Sequence, residues 1–159
     1  MSHEFIDKMM EQNKAGELRS PVSDTLGMHM VEFGRGEAVY EMDAREELGN
    51  PLGVIQGGVV TALADAAMAA ATTTILTDEE IQKSAITTVD VFARFIRPVN
   101  AKKVERLRAE AKVVRAGGRL VWAEANLLAD GDIVGKFAAT GIRVAFDPQP
   151  YIAARGSDE

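Results

Sequence analysis

Hydrophobic and polar positions follow three different rhythms along this chain. In residues 4–15, Phe5, Ile6, Met9 and Met10 recur at helical spacing with charged side chains between them, and Gly16 and Pro21 stop the pattern. This predicts a short amphipathic helix lying on the body of the protein. Between residues 25 and 42 the runs LGMHMVEFG and EAVYEMD are short and extended, separated by Gly34 and Gly36, which predicts two strands of a hairpin. The next stretch, AREELGNPLGVI, carries Gly49, Asn50, Pro51 and Gly53 and reads as a loop. Gly57 and Gly58 then open VVTALADAAMAAATTTIL, where alanine and leucine dominate and predict the single long helix of the chain. Seven alanines fall between Ala62 and Ala71, so small side chains occupy nearly every face. Such a helix is normally wrapped by other elements.

After Asp78, Glu79 and Glu80 the period becomes two. Val89, Val91, Ala93 and Phe95 alternate with Thr88, Asp90, Phe92 and Arg94, and Leu107, Ala109, Ala111 and Val113 alternate with Arg106, Arg108, Glu110 and Lys112. Each set predicts a strand with one buried face. Gly117 and Gly118, then Asp130 and Gly131, punctuate two further strands, and the whole half reads as an antiparallel meander. The expected order is helix, two strands, long helix, four strands. In domain terms this is an N-terminal helix and linker at 1–20, one domain at 21–147 and a flexible tail at 148–159. An antiparallel sheet curled around one apolar helix is the economical way to bury that helix, an α+β architecture. The edges and outer face left over predict that two copies pair edge to edge.

Composition narrows the chemistry. The 159 residues are 47% hydrophobic and 26% charged, with no cysteine and two histidines, His3 and His29. Disulfides, thiol nucleophiles and Cys-ligated metal sites are excluded, and a catalytic triad or His-rich metal site has little to be built from. His29 reads as a packed or surface histidine, and Trp122 as a core or dimer contact. The net charge of -6 argues against a nucleic-acid partner. The polar N-terminus and the interruption of residues 59–76 by Asp65 and four threonines predict no membrane segment and a cytoplasmic protein.

Three ordered pieces then resemble a known family. NPLGVIQGGVVTALADAAM at 50–68, TTVDVFARFIRP at 87–98 and RAGGRLVWAEA at 115–125 are similar to the hotdog-fold acyl-CoA thioesterases, especially the branch related to the phenylacetic-acid-pathway thioesterase. The resemblance covers about residues 49–143. It implies a hotdog fold, with a curved antiparallel sheet wrapped around one long central helix. It also implies hydrolysis of acyl-CoA thioesters of aryl or short to medium chain, by a homodimer or homotetramer, with no metal or redox cofactor and with coenzyme A entering as part of the substrate. Where most members carry His before the Gly pair, this chain has Gln56, which keeps a donor and an acceptor but cannot titrate.

The residues at those places suit that chemistry. Gly57 and Gly58 stand where the long helix starts, and first-turn N–H groups have no partner inside a helix, so the Gly57 N–H is the candidate oxyanion donor. The plain alternative is a glycine pair that merely permits a tight turn. Asp65 is the sharper anomaly, an aspartate amid alanines with no salt-bridge partner on its own helix. Buried, it would serve as base or nucleophile toward a thioester; otherwise it faces solvent or pairs with a distant arginine. Asn50 is a turn opener before proline, and by resemblance it would orient water or the thioester carbonyl. Thr88 matches a hydroxyl position that, by resemblance, helps hold the attacking water. The resemblance also implies a site across the dimer interface, with Asn50 and Gly57 of one copy facing Asp65 and Thr88 of the other.

Charge adds a separate argument. Residues 94–119 hold nine Lys or Arg and two Glu, a local +7 against -13 for the remainder. A basic field on an acidic protein suits a polyanion such as the phosphates of coenzyme A. Arg97, Lys102, Lys103 and Arg119, near turns, are the phosphate candidates, while Arg106, Arg108 and Lys112 read in part as a solvated strand face. Two other functions fit the same fold: an acyl-CoA-binding protein without turnover, which Gln56 favours, and a hydroxyacyl-thioester dehydratase, which the lack of a nearby His disfavours.

Overall fold

The computed structural model describes residues 20–146 together with Glu4, Asp7, Lys8, Glu11, Gln12 and Ala15. The first five of these six positions are helical, and the Ala15 N–H donates to Glu11 O at 2.9 Å. Phe5, Ile6, Met9 and Met10, the apolar stripe expected to hold that helix down, lie outside the described residues, as does the tail at 148–159.

Pro21, read from the sequence as a stop to the first helical pattern, also starts a helix that the sequence pattern does not predict, α1 (Pro21–Leu26). Proline lacks only an N–H that the first helical position cannot use. Ser20 caps it by accepting the Ser23 N–H, and Gly27 ends it at φ 74°. Strands β1 (Met28–Gly34) and β2 (Glu37–Asp43) form the expected hairpin. After a 3-10 turn at Glu46–Leu48 comes the long helix α2 (Gly57–Thr73), and then β3 (Ser84–Phe95), β4 (Arg106–Ala116), β5 (Leu120–Ala129) and β6 (Asp132–Ala145).

The six strands form one antiparallel sheet in the order β1-β2-β4-β5-β6-β3, with α2 packed across it. This is the α+β hotdog arrangement that the sequence resemblance implies. Within it the expected four-strand meander is corrected: β4-β5-β6 is a meander, but β3 pairs with β6 at the far edge. The physical reason lies in residues 96–105, which carry the chain from β3 to a place beside β2, so β4 completes the hairpin sheet instead of continuing from β3.

The stripe Val60, Leu63, Ala64, Ala67, Met68, Ala71 and Thr72 recurs every three or four residues and is buried against Met42, Leu107, Leu127 and Phe137. The opposite side of α2, including Ala62, Asp65, Ala66 and Ala69, is only half-buried. Leu107, Ala109 and Ala111 face inward as the alternation predicts, but β3 does not have one wholly buried face. Val89 and Phe92 are 59% and 60% exposed, as befits an edge strand with no partner on its outer side among the described residues. Register shifts between Thr88 and Asp90, where Val89 is the extra residue. Trp122 is likewise not a core residue; it lies under the Arg115 guanidinium at the surface. His29 is exposed, opposite Glu41. No helix among the described residues is long and apolar enough to cross a membrane.

The start of β3 and the end of β6 are tied by Glu80, which accepts the Thr77 N–H at 2.9 Å and a short bond from Arg143. The Thr77 N–H, then Arg143, hold the Glu80 carboxyl below the usual carboxylate range. A lowered value stabilises the fold above the unfolded value of about 4.3 and is lost as pH falls through the folded one. Glu80→Gln is therefore expected to lower the melting temperature at pH 7, with the difference from the parent protein shrinking as pH falls below the unfolded value and through the lower folded one. Thermal unfolding across that range checks it; a difference that persists at low pH contradicts it.

Candidate active site

The loop ahead of α2 is held by its own side chain. Asn50 Oδ1 accepts the Leu52 N–H at 2.9 Å and the Val54 N–H at 3.4 Å, while the Asn50 N–H donates to Val54 O at 2.8 Å. The turn-opening reading of Asn50 is thus realised. Two N–H donors on one atom also fix which end of the carboxamide is oxygen. Its NH2 end takes no described partner and is the end free to meet a carbonyl or a water.

Gln56 is the N-cap of α2 and works through its main chain. Its N–H donates to Leu48 O at 2.9 Å, and its carbonyl accepts the Val59 and Val60 N–H groups at 2.9 and 3.3 Å. The side chain is exposed and makes no capping bond. Gly57 and Gly58 follow as the first helical residues, and no hydrogen bond from either N–H is found among the described residues. Gly57 lies under Phe95: a Cβ there would stand 3.2 Å from the ring tip, whereas one on Gly58 would meet nothing within 4 Å. Asn50, Ile55, Gly57, Phe95, Arg97 and Val134 line a cavity of about 320 Å³. Phe95, which no sequence pattern singled out as a site residue, packs its ring tip against Gly57 and meets Phe137 edge to face at 6.0 Å.

Asp65 and Thr88 form a second cluster. The Thr88 hydroxyl donates to Asp65 Oδ1 at 2.9 Å, joining the middle of α2 to the middle of β3. Asp65 is half-buried rather than enclosed, because the side of α2 that carries it has no full cover among the described residues. Eight residues of helix separate Asp65 from Gly57, about 12 Å at 1.5 Å per residue. One chain therefore brings Asn50 to Gly57 and Thr88 to Asp65, but does not bring the two pairs to a common point.

The phosphate candidates are scattered. Arg97 lines the cavity but is paired with Asp132 at 3.3 Å, and Lys102 is paired with Glu46 at 3.2 Å. Lys103 stands beside Lys102 in the same turn, whereas Arg119 lies past the far end of β4, roughly 35 Å away at strand rise. Part of the basic surplus is cancelled on the spot: Arg108 reaches Glu32, Glu41 and Glu110 at 2.6, 2.8 and 2.9 Å, and Arg106 reaches Glu41 and Asp43. The Glu32, Glu110 and Glu41 bonds push the Arg108 guanidinium still further from deprotonation. This is the solvated strand face that the alternation anticipates. Among the described residues no group of three or more His, Cys, Asp or Glu could hold a metal ion.

The profile of the Thioesterase superfamily matches residues 52–136, the span that holds Gln56, Gly57, Asp65 and Thr88. The chain belongs to the thioesterase superfamily. No curated protein sequence matches it significantly. Among solved structures it is similar to a thioesterase family protein from Silicibacter pomeroyi, with 26% identity and a TM-score of 0.72 over 86% of this chain and 98% of that one. It is also similar to a phenylacetic acid degradation-related protein from Ralstonia eutropha, with 27% identity and a TM-score of 0.71 over 83% and 97% of the two chains. A variant of the phenylacetic acid degradation protein PaaI from Thermus thermophilus matches with 25% identity and a TM-score of 0.70 over 79% and 100%.

The two duties of Asn50 separate by substitution. Asn50→Ala, which removes the acceptor for two amides, is expected to cost about 1 to 2 kcal/mol. Asn50→Asp, which keeps an oxygen in place, should stay within about 0.5 kcal/mol of the parent protein. Urea denaturation of both decides the matter, and equal losses would remove the loop-holding role of the oxygen.

Proposed function

We propose that this thioesterase-superfamily member hydrolyses acyl-CoA thioesters, of aryl or short to medium acyl chain, in a site shared by two copies of the chain. The observation that carries the reading is the Thr88 to Asp65 hydrogen bond. It fixes a carboxylate on an otherwise alanine-lined helix face that the described residues leave half-buried.

In this reading Gly57, Gly58 and Asn50 of one copy face Asp65 and Thr88 of the other. The open edge of β3, with Val89 and Phe92 exposed, supports a homodimer formed edge to edge, and the half-buried alanine face of α2 leaves room for a homotetramer. Asp65 takes a proton from water as the water oxygen bonds to the thioester carbonyl carbon, or its carboxylate makes that bond directly. The Gly57 N–H steadies the negative oxygen, a contribution of about 3 kcal/mol for such a donor, and the Asn50 NH2 orients the carbonyl or the water. Collapse breaks the carbon–sulfur bond and the coenzyme A sulfur leaves as the thiol with a proton from the water. The acid departs at once in the water route, and in the direct route only after that water has hydrolysed the Asp65–acyl anhydride and restored the carboxylate. Water, a carboxylate and amides suffice, without a metal or redox cofactor. Arg97, Lys102, Lys103 and Arg119 would meet coenzyme A phosphates, with the first two exchanging an acidic partner for the ligand. The phenylacetic-acid relatives support an aryl acyl group, and the reading fits a cytoplasmic protein.

Purified protein incubated with phenylacetyl-, short-chain and long-chain acyl-CoA, with free thiol as the readout, tests the reading. Asp65→Asn is expected to lower kcat by roughly 100- to 1,000-fold, with folding stability changed by no more than about 1 kcal/mol. Full turnover by that variant removes the mechanism, and binding without thiol release by the parent protein favours the acyl-CoA-binding alternative.

A further inference from the structure

On a regular strand, residues two apart share a face. By that rule Thr88 belongs with Asp90, Phe92 and Arg94, on the side away from α2. The structure puts it on the other side. Thr88 donates to Asp65 on the helix, Val91 and Ala93 pack on the core, and Phe95 meets Gly57 and Phe137. Phe92 and Arg94 stack on each other with the rings and charge at the surface. Thr88 and Val91, three residues apart, share the helix side because Val89 is an extra residue: Thr88 pairs with Gly141 and Asp90 with its neighbour Thr140. A bulge of this kind re-aims a side chain.

One side chain crosses that irregularity. Asp90 Oδ1 accepts the Thr140 N–H at 3.2 Å, supplying an acceptor where the β3–β6 ladder slips. Strand β3 has no partner on its outer side among the described residues, so within one copy the slip is held from the β6 side.

We infer that Asp90 is a positioning residue: its carboxylate pins the Val89 bulge, and the bulge keeps the Thr88 hydroxyl on Asp65. The kinetic part of this inference rests on the proposed hydrolysis; the geometric part does not.

Three variants and one structure test it. Asp90→Val, which keeps strand propensity, and Asp90→Ala both remove the acceptor, and either one that folds suffices. The expected result is a roughly tenfold lower kcat with KM within about twofold, the scale of one hydrogen bond to a charged group. Asp90→Asn, whose Oδ1 accepts the same N–H, should restore kcat. Adding Thr88→Ala to Asp90→Val should lower kcat no further, since both act through one contact. Wild-type kcat in both Asp90→Val and Asp90→Ala, or Asp90→Asn as impaired as they are, overturns the inference. If the parent protein releases no thiol from any acyl-CoA, the hydrolase reading falls and a crystal structure of Asp90→Val decides the positioning. Thr88 Oγ1 beyond hydrogen-bond reach of Asp65 supports it, and a contact kept near 2.9 Å overturns it.

Discussion

Everything in this molecule is arranged around one constraint: a sheet that has a single concave face must bury a helix that is apolar nearly all round. The solution is to bury one stripe, from Val60 to Thr72, and to make it of small residues wherever the strands come near. Ala64, Ala67 and Ala71 let α2 lie close to β2, β4 and β5, while Leu63 and Met68 fill the wider gaps. Side chains of this size contribute little apolar area each, so the core depends on close approach of backbones more than on bulk. The same choice leaves a second apolar side with a carboxylate in its middle, and the proposed chemistry uses that side.

Charge follows a related logic of local accounting. Along the sequence the stretch from β3 to β5 holds a strong excess of Lys and Arg. In space Arg106 and Arg108 are surrounded by Glu32 of β1, Glu41 and Asp43 of β2 and Glu110 of β4 itself, because register sets the acids of β2 opposite the bases of β4. Cross-strand pairing therefore absorbs much of what a count along the chain presents as an anion-binding field. The loop cations Arg97 and Lys102 have single, exposed acidic partners instead, and exposed pairs of that kind are worth little and are readily exchanged.

How much of this is legible in the sequence depends on whether the signal is local. The alanine helix, the glycine punctuation at 117–118 and 130–131, and the inward set Leu107, Ala109 and Ala111 are written in neighbouring residues and appear in the structure as the pattern predicts. The helix that begins at Pro21 is less legible, because proline both ends and starts helices and the deciding feature is the capping serine before it. The place of β3 beside β6 is set by a ten-residue connection that has no period of its own. The bulge is the most instructive case. A strict two-residue alternation puts Thr88 on the wrong side of its strand, and only a slip in pairing with β6, invisible from β3 alone, puts it right. Resemblance points to Thr88 where periodicity points away, because a family pattern carries the bulge implicitly and an alternation count does not.

Gln56 shows the converse, a departure in sequence with little consequence for geometry. The duties of that position in the fold are an N–H to Leu48 and a carbonyl shared by Val59 and Val60, and any residue other than proline can perform them. The side chain points into solvent in the single chain, so glutamine neither strains the cap nor disturbs the glycines after it. What glutamine does remove is a titrating ring beside the candidate oxyanion amide. In the proposed hydrolysis the burden of proton transfer then falls on Asp65, a carboxylate about 12 Å away along its own helix. On that reading association becomes part of the active site: without a titrating group at the position before Gly57, the amide that stabilises charge and the group that moves the proton must come from different copies of the chain.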